Sequence, residues 1–232
     1  MKKIILNHKS YLMYDEVLDY KKELNKVKSD EYEFIIFPQL VYIPVFSFSK
    51  YLLGTQDFYS STTGSFTGEV NLESLKSLKV KYTMISQYER IKILNESKEE
   101  SREKLYRSLN SKFNTMLCIG EEKRIQRPFY AIKGKINYYL KNIEKSKLKN
   151  LSIIYEPSYS IRNANIKDIK YLEDLIIRIK NYIKSKYNVN VEVYYAGLIN
   201  NENFKQIINI CDGIVLGKKS TDIDFIKNLL KD

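Results

Sequence analysis

One histidine, two cysteines and four prolines stand in 232 residues, and each scarcity closes off a class of structure or chemistry. Zinc needs clustered His and Cys ligands, so a lone His8 with Cys118 and Cys211 makes no zinc site. Both cysteines lie in apolar runs, which points to buried thiols rather than a disulfide framework and to a reducing cytoplasm. Neither has a second histidine to activate it. With only eight glycines and four prolines, the chain has no Gly/Pro/Ser-rich linker that could separate domains. No apolar run reaches the roughly 18 residues of a membrane span. The N-terminal MKKIILNHKSYL starts like a signal peptide but lacks the apolar core of one.

What is abundant is lysine. The formal charge is +11, which raises nucleic acid as a partner. The lysines are scattered and interleaved with acids, as in KKELNKVK and KNIEKSKLK, so solvated helix faces are the favoured reading. A nucleic-acid groove would also need stacking aromatics beside clustered base charge, and no segment shows both.

Short apolar runs alternate with longer amphipathic ones from end to end. KIILN (3–7), EFIIFP (33–38), LLGTQD (52–57), YTMIS (82–86), TMLCIG (115–120), SIIYEP (152–157), VEVYYAG (191–197) and GIVLG (213–217) read as strands. Between them, apolar residues recur at helical steps. In 128–143 they are Phe129, Ile132, Ile136, Tyr139 and Ile143, and in 166–183 they are Ile169, Leu172, Leu175, Ile176 and Ile179. Ser220 is placed to cap the final helix. Eight strands in alternation with helices predict a parallel sheet, and a closed (β/α)8 barrel fits this length better than an open doubly wound sheet. A barrel would gather polar residues that end strands into one mouth.

Three strand ends stand out. Asn7 and Lys9, two apart, share one face of the first strand, with His8 packed outward under a helix. Gln87 and Glu89 follow the fourth strand, and Glu156 ends the sixth, held extended by Pro157. A glutamate base beside a carbonyl, with a lysine and an amide stabilising the oxyanion, would suit proton abstraction. Arg90 reads as a structural ion-pair partner.

At these residues the chain resembles the triosephosphate isomerase family, over essentially its whole length. Asn7-His8-Lys9 resembles the family's Asn-Trp-Lys, and GTQDFYSSTTGSFTGEV (54–70) its interdigitating dimer loop. KYTMISQYER (81–90) resembles the segment carrying the catalytic histidine, and MLCIGE (116–121) the fifth-strand motif. IIYEPSYSI (153–161) is similar to the catalytic-glutamate strand, and YYAGLINNENF and DGIVLGKKS to the phosphate loops. The resemblance implies a single-domain (β/α)8 TIM barrel over 1–232, without a cofactor or metal. It also implies a cytoplasmic homodimer that interconverts a small phosphorylated hydroxycarbonyl substrate. In that reading Lys9 is the electrophilic cation, Glu156 the base and Asn7 a support. Glu89 orients Lys9, and Thr67 comes from the partner subunit.

The chain departs from the family at four places. Gln87 replaces the catalytic histidine, and an amide does not exchange a proton at neutral pH, so Glu156 would carry every proton and turnover would slow. The glycine-containing end of the lid is absent, with Arg162 after Ile161 as a substitute anion clamp. Ala196 precedes Gly197, and Leu198 stands where the family has a serine. Gly217 is followed by Lys218 rather than a second glycine, which would either obstruct a phosphate or hold it as a point charge. These losses leave open a second reading: a catalytically inactive relative that binds a ligand or partner.

Overall fold

The computed structural model describes residues 1–159 and 168–231. The predicted alternation becomes eight strands: β1 Lys2–Asn7, β2 Tyr32–Phe37, β3 Leu52–Thr55, β4 Tyr82–Ile85, β5 Asn114–Ile119, β6 Leu151–Tyr155, β7 Glu192–Tyr195 and β8 Gly213–Leu216. All are parallel, and the sheet closes with β8 against β1, from Lys3 opposite Gly213 to Leu6 opposite Leu216. This is a (β/α)8 barrel, with helices ringing it. No described helix is long and apolar enough to cross a membrane.

Strand alternation divides the core into two. Inward-pointing Ile5, Ile35, Phe37, Met84, Met116, Ile154, Tyr194 and Val215 fill the barrel. Outward-pointing neighbours such as Ile4, Leu6, Ile36, Leu117 and Ile153 meet the helices. Each buried aliphatic side chain contributes roughly 1.5–3 kcal/mol. The barrel is packed tightly enough to dictate glycine at Gly54, where a Cβ would lie 2.3 Å from the Phe37 ring.

Helix ends follow local chemistry rather than apolar period alone. The 128–143 pattern is helical only over Pro128–Leu140. Lys141 turns extended and Asn142 takes φ +65°, so Ile143 reaches the core from beyond the helix. The helix Ile169–Tyr187 starts where the Asp168 carboxylate accepts from the Tyr171 N–H and stops at left-handed Asn188. The last helix, Ile223–Leu229, is capped by Asp222, which accepts from the Phe225 N–H at 2.9 Å. Ser220, expected to be that cap, is instead buried in the preceding 3-10 turn.

His8 packs outward from β1, its ring edge-on to Tyr20 at 4.6 Å, and neither ring nitrogen has a hydrogen-bond partner. Burial pushes its pKa down from 6.5 to about 4. The fold therefore disfavours the imidazolium. Stability contributed by the neutral ring is complete above pH 6.5 and is lost as pH falls toward 4. The stability gap between His8→Phe and the parent should widen in the variant's favour from pH 6.5 to 4.5. The expected change is on the order of 2–3 kcal/mol, or roughly 5–10 °C in relative Tm. Thermal scans of both proteins across that range check it, and parallel pH curves would show that His8 is solvated.

Candidate active site

The polar ends of the strands meet at the C-terminal mouth of the barrel, where such folds place their sites. β1 ends at Asn7, and Lys9 then leaves the strand with φ +50°. That left-handed conformation, uncommon for a side-chain-bearing residue, breaks the simple alternation expected for Asn7 and Lys9. The Asn7 carboxamide nevertheless stays beside the turn, its Oδ1 3.4 Å from the Lys9 amide nitrogen. The Lys9 ammonium forms an ion pair with Glu89. Gly217, at the end of β8, lies directly against Lys9: a Cβ there would stand 3.3 Å from Lys9 Cε.

β4 ends in a similar manoeuvre. Ser86 takes φ +63°, its hydroxyl 2.7 Å from the Tyr139 hydroxyl, and Gln87 becomes the residue before the Tyr88–Lys92 helix. The strand thus stops on a left-handed residue, and Gln87 and Glu89 follow because they belong to the mouth, while Arg90 turns to Asp57 and Glu96. Gln87 is buried. Its Oε1 accepts from Asn7 Nδ2 at 3.1 Å, and its Nε2 donates to the Gln56 carbonyl at 2.9 Å. These two bonds fix the carboxamide's direction and leave one amide hydrogen for a ligand.

Gln56 is a site residue that sequence reasoning missed. Its own Nε2 donates to the Lys9 and Phe37 carbonyls, both at 2.9 Å, tying the ends of β1, β2 and β3 together. The signal was an amide just past a strand end, the same pattern read at Gln87. Also missed was a charge cluster that anchors the helix carrying Glu89 through Arg90. Arg90 and Lys104 each pair with both Asp57 and Glu96, at 2.6–2.9 Å. Burial alone would raise the Glu96 carboxyl, but Lys104, Ser101 and Arg90 outweigh it and hold it low. Arg90 is the structural ion-pair partner expected of it.

Glu156 follows β6, its amide bonded to the Ile119 carbonyl at 2.8 Å. Gly120 makes this approach possible, since a Cβ there would fall 1.8 Å from the Glu156 carbonyl oxygen. Desolvation pushes the Glu156 carboxyl up to about 7, reinforced by Glu89 and opposed by Lys9 and by the Tyr88 N–H that it accepts from. Although Glu156 keeps partial exposure, its carboxyl lies in this crowded pocket of charge. A group poised near neutrality is suited to take and return a proton.

The remaining candidates are spread around the rim. A Cβ at Gly197 would overlap the Tyr195 hydroxyl at 2.0 Å. Leu198 is half-buried, its carbonyl accepting from Asn203 at 3.0 Å. Lys218 is exposed and leans over the Tyr11 ring, its ammonium 5.7 Å from the centroid. Thr67 lies exposed in the 57–70 loop, next to Gly68 at φ +89°. Arg162 falls outside the described residues.

Comparison with known proteins bears on this arrangement. The triosephosphate isomerase family model matches residues 2–232. The chain belongs to the triosephosphate isomerase family. It is 30% identical to the triosephosphate isomerase of Helicobacter acinonychis, over 97% of this chain and 96% of that protein. It is 32% identical to that of Campylobacter concisus, over 82% and 83% of the two chains. The enzyme of Alkaliphilus metalliredigens is also 32% identical, over 76% and 75%. Membership in the triosephosphate isomerase family supports an isomerase function for this chain.

Proposed function

We propose that this chain interconverts an aldose and a ketose by proton transfer through an enediolate, with glyceraldehyde 3-phosphate and dihydroxyacetone phosphate as the default pair. The single observation that carries the reading is the Glu156 carboxyl, held near neutrality within the field of an ammonium that Glu89 orients. The Glu156 carboxylate takes the proton from the carbon beside the carbonyl. The C–H electron pair becomes the new C=C bond, and the carbonyl π pair moves to oxygen. Lys9 and the spare amide hydrogen of Gln87 stabilise that oxyanion. Returning the proton to the neighbouring carbon completes the exchange. Because the Gln87 carboxamide cannot release a proton at neutral pH, Glu156 also carries the proton between the two substrate oxygens. That double duty makes the reaction slow.

In this proposal the phosphate lies between the Gly197–Leu198 and Gly217–Lys218 turns. Lys218 supplies a point charge where a glycine's bare backbone would otherwise serve, and Arg162 adds a second cation. The chain works as a homodimer in the cytoplasm, with Thr67 of the 57–70 loop packing near the other subunit's site.

The test is a coupled assay with glyceraldehyde 3-phosphate, together with inhibition by a phosphate-bearing enediolate mimic. Turnover and inhibition are expected, and Lys218→Gly should weaken the mimic by roughly 3–10-fold, in line with a loss of about 1 kcal/mol from one exposed charge contact. Tighter binding in that variant would mean an obstructed phosphate turn. Absence of both turnover and inhibition would leave the ligand-binding relative as the better reading.

A further inference from the structure

A cavity of about 430 Å³ lies beside the mouth, between the Tyr88–Lys92 helix and the Pro128–Leu140 helix. Its inner wall includes Cys118 and Glu156, from the ends of β5 and β6. The volume falls in the range of small-molecule sites, roughly 300–1,000 Å³. The Glu156 carboxyl accepts from the Tyr88 N–H, and Tyr88 is itself a wall of the cavity. The base therefore borders this space as well as the mouth.

Three features say what the cavity would take. First, its roof contains Gly134 in a helix interior, where glycine costs about 1 kcal/mol relative to alanine. No packing demands it, because a Cβ at Gly134 would meet nothing within 4 Å. With Ala131 one turn earlier, the missing side chain keeps a trough open along the helix. Second, Tyr88 and Ile91 line the cavity from the facing helix, and Tyr138 lines it one turn beyond Gly134, together a fit for a flat apolar body. Third, the lining carries Lys92, Lys98 and Lys135. Glu122 neutralises Lys92 at 2.9 Å, whereas neither Lys98 nor Lys135 has a carboxylate within 4 Å among the described residues, although Glu122 and Glu121 act on Lys135 from farther off. Lys135 spends one donor on the Gly120 carbonyl at 2.6 Å and keeps others for an anion.

We propose that this cavity is a second binding site, for a planar, largely apolar small molecule bearing one anionic group, and that its occupation restrains Glu156 and slows the isomerase. The ring lies between Tyr88 and the Ala131–Gly134 trough, and the anion meets Lys98 and Lys135. Filling the space behind Glu156 holds its carboxyl on the Tyr88 amide, away from a substrate carbon. The inhibitory part rests on the isomerase reading; the binding part does not.

The probe is 8-anilinonaphthalene-1-sulfonate, followed by its fluorescence on the intact protein and by turnover of glyceraldehyde 3-phosphate. Saturable binding of one probe per chain is expected, with kcat falling while KM stays constant. Gly134→Leu and Ala131→Leu, both at exposed helix positions, should each weaken binding at least tenfold. Lys98→Glu should weaken binding severalfold without filling the space. Absence of saturable binding, or binding indifferent to both leucines, would overturn the site. Inhibition purely competitive with substrate would overturn the restraint on Glu156. Should the protein show no turnover at all, the isomerase reading fails while the fluorescence titrations still decide the site.

Discussion

Glu156→Gln should lower kcat with glyceraldehyde 3-phosphate by about 10³-fold or more, the scale on which a positioned general base operates, while leaving a folded and more stable protein. The amide keeps an acceptor for the Tyr88 N–H but cannot take a proton from carbon. The gain in stability follows from linkage. With its carboxyl raised from 4.5 to about 7, Glu156 favours the folded state fully below pH 4.5, and that contribution disappears as pH climbs through 7. Above pH 8 the parent therefore carries a desolvated carboxylate that the variant lacks, a difference on the order of 2–3 kcal/mol. Coupled assays and urea unfolding at pH 6 and 8 check both halves. Turnover equal to the parent's would point to a contaminating host isomerase, and loss of stability at both pH values would make the missing activity a folding defect. In the parent, kcat/KM should rise with pH to a plateau, with an apparent pKa near 7, because only the ionised base reacts.

Lys9→Met should cost about 10²–10³-fold in kcat, comparable to removing one oxyanion donor, and should also move that pH limb. Lys9 is the charge that pulls the Glu156 carboxyl down against desolvation and Glu89. Without it, the Glu156 carboxyl titrates higher, Glu89 loses its counter-ion, and the rising limb of kcat/KM shifts toward alkaline pH. Methionine keeps the aliphatic stem that lies against Gly217, so the effect reports on charge rather than on a void. A pH–rate profile makes the check. A rate loss with an unmoved limb would place Lys9 out of electrostatic reach of the base.

The opposing titrations of His8 and Glu156 also hide one another. Between pH 4.5 and 6.5, acidification destabilises the fold through His8 and stabilises it through Glu156 by similar amounts. The parent's net dependence on these two groups is therefore shallow, and each single variant exposes the slope of the other.

Strand positions and barrel class were legible because burial on both faces leaves unbroken apolar runs, and each run is punctuated by polar or turn residues. The mouth residues were legible for the same reason: Asn7, Gln87 and Glu156 interrupt apolar runs at their ends. What escaped were features set by backbone sign or by long-range contact. Nothing local marks Lys9 and Ser86 as left-handed, yet φ at those two residues aims the mouth. Gln56 and the Asp57–Glu96–Lys104 cluster join segments up to 47 residues apart, so only the folded chain reveals them. The shift of a helix cap from Ser220 to Asp222 was decided by an intervening 3-10 turn that fits no simple period.

The pairing of the first strand with the eighth has a consequence in time. Lys9 acquires the wall formed by Gly217 only once residues some two hundred positions later have zipped alongside Lys3–Leu6, a contact of very high sequence separation and hence of slow formation. The wall beside Lys9 is therefore expected among the later features to form in a refolding molecule.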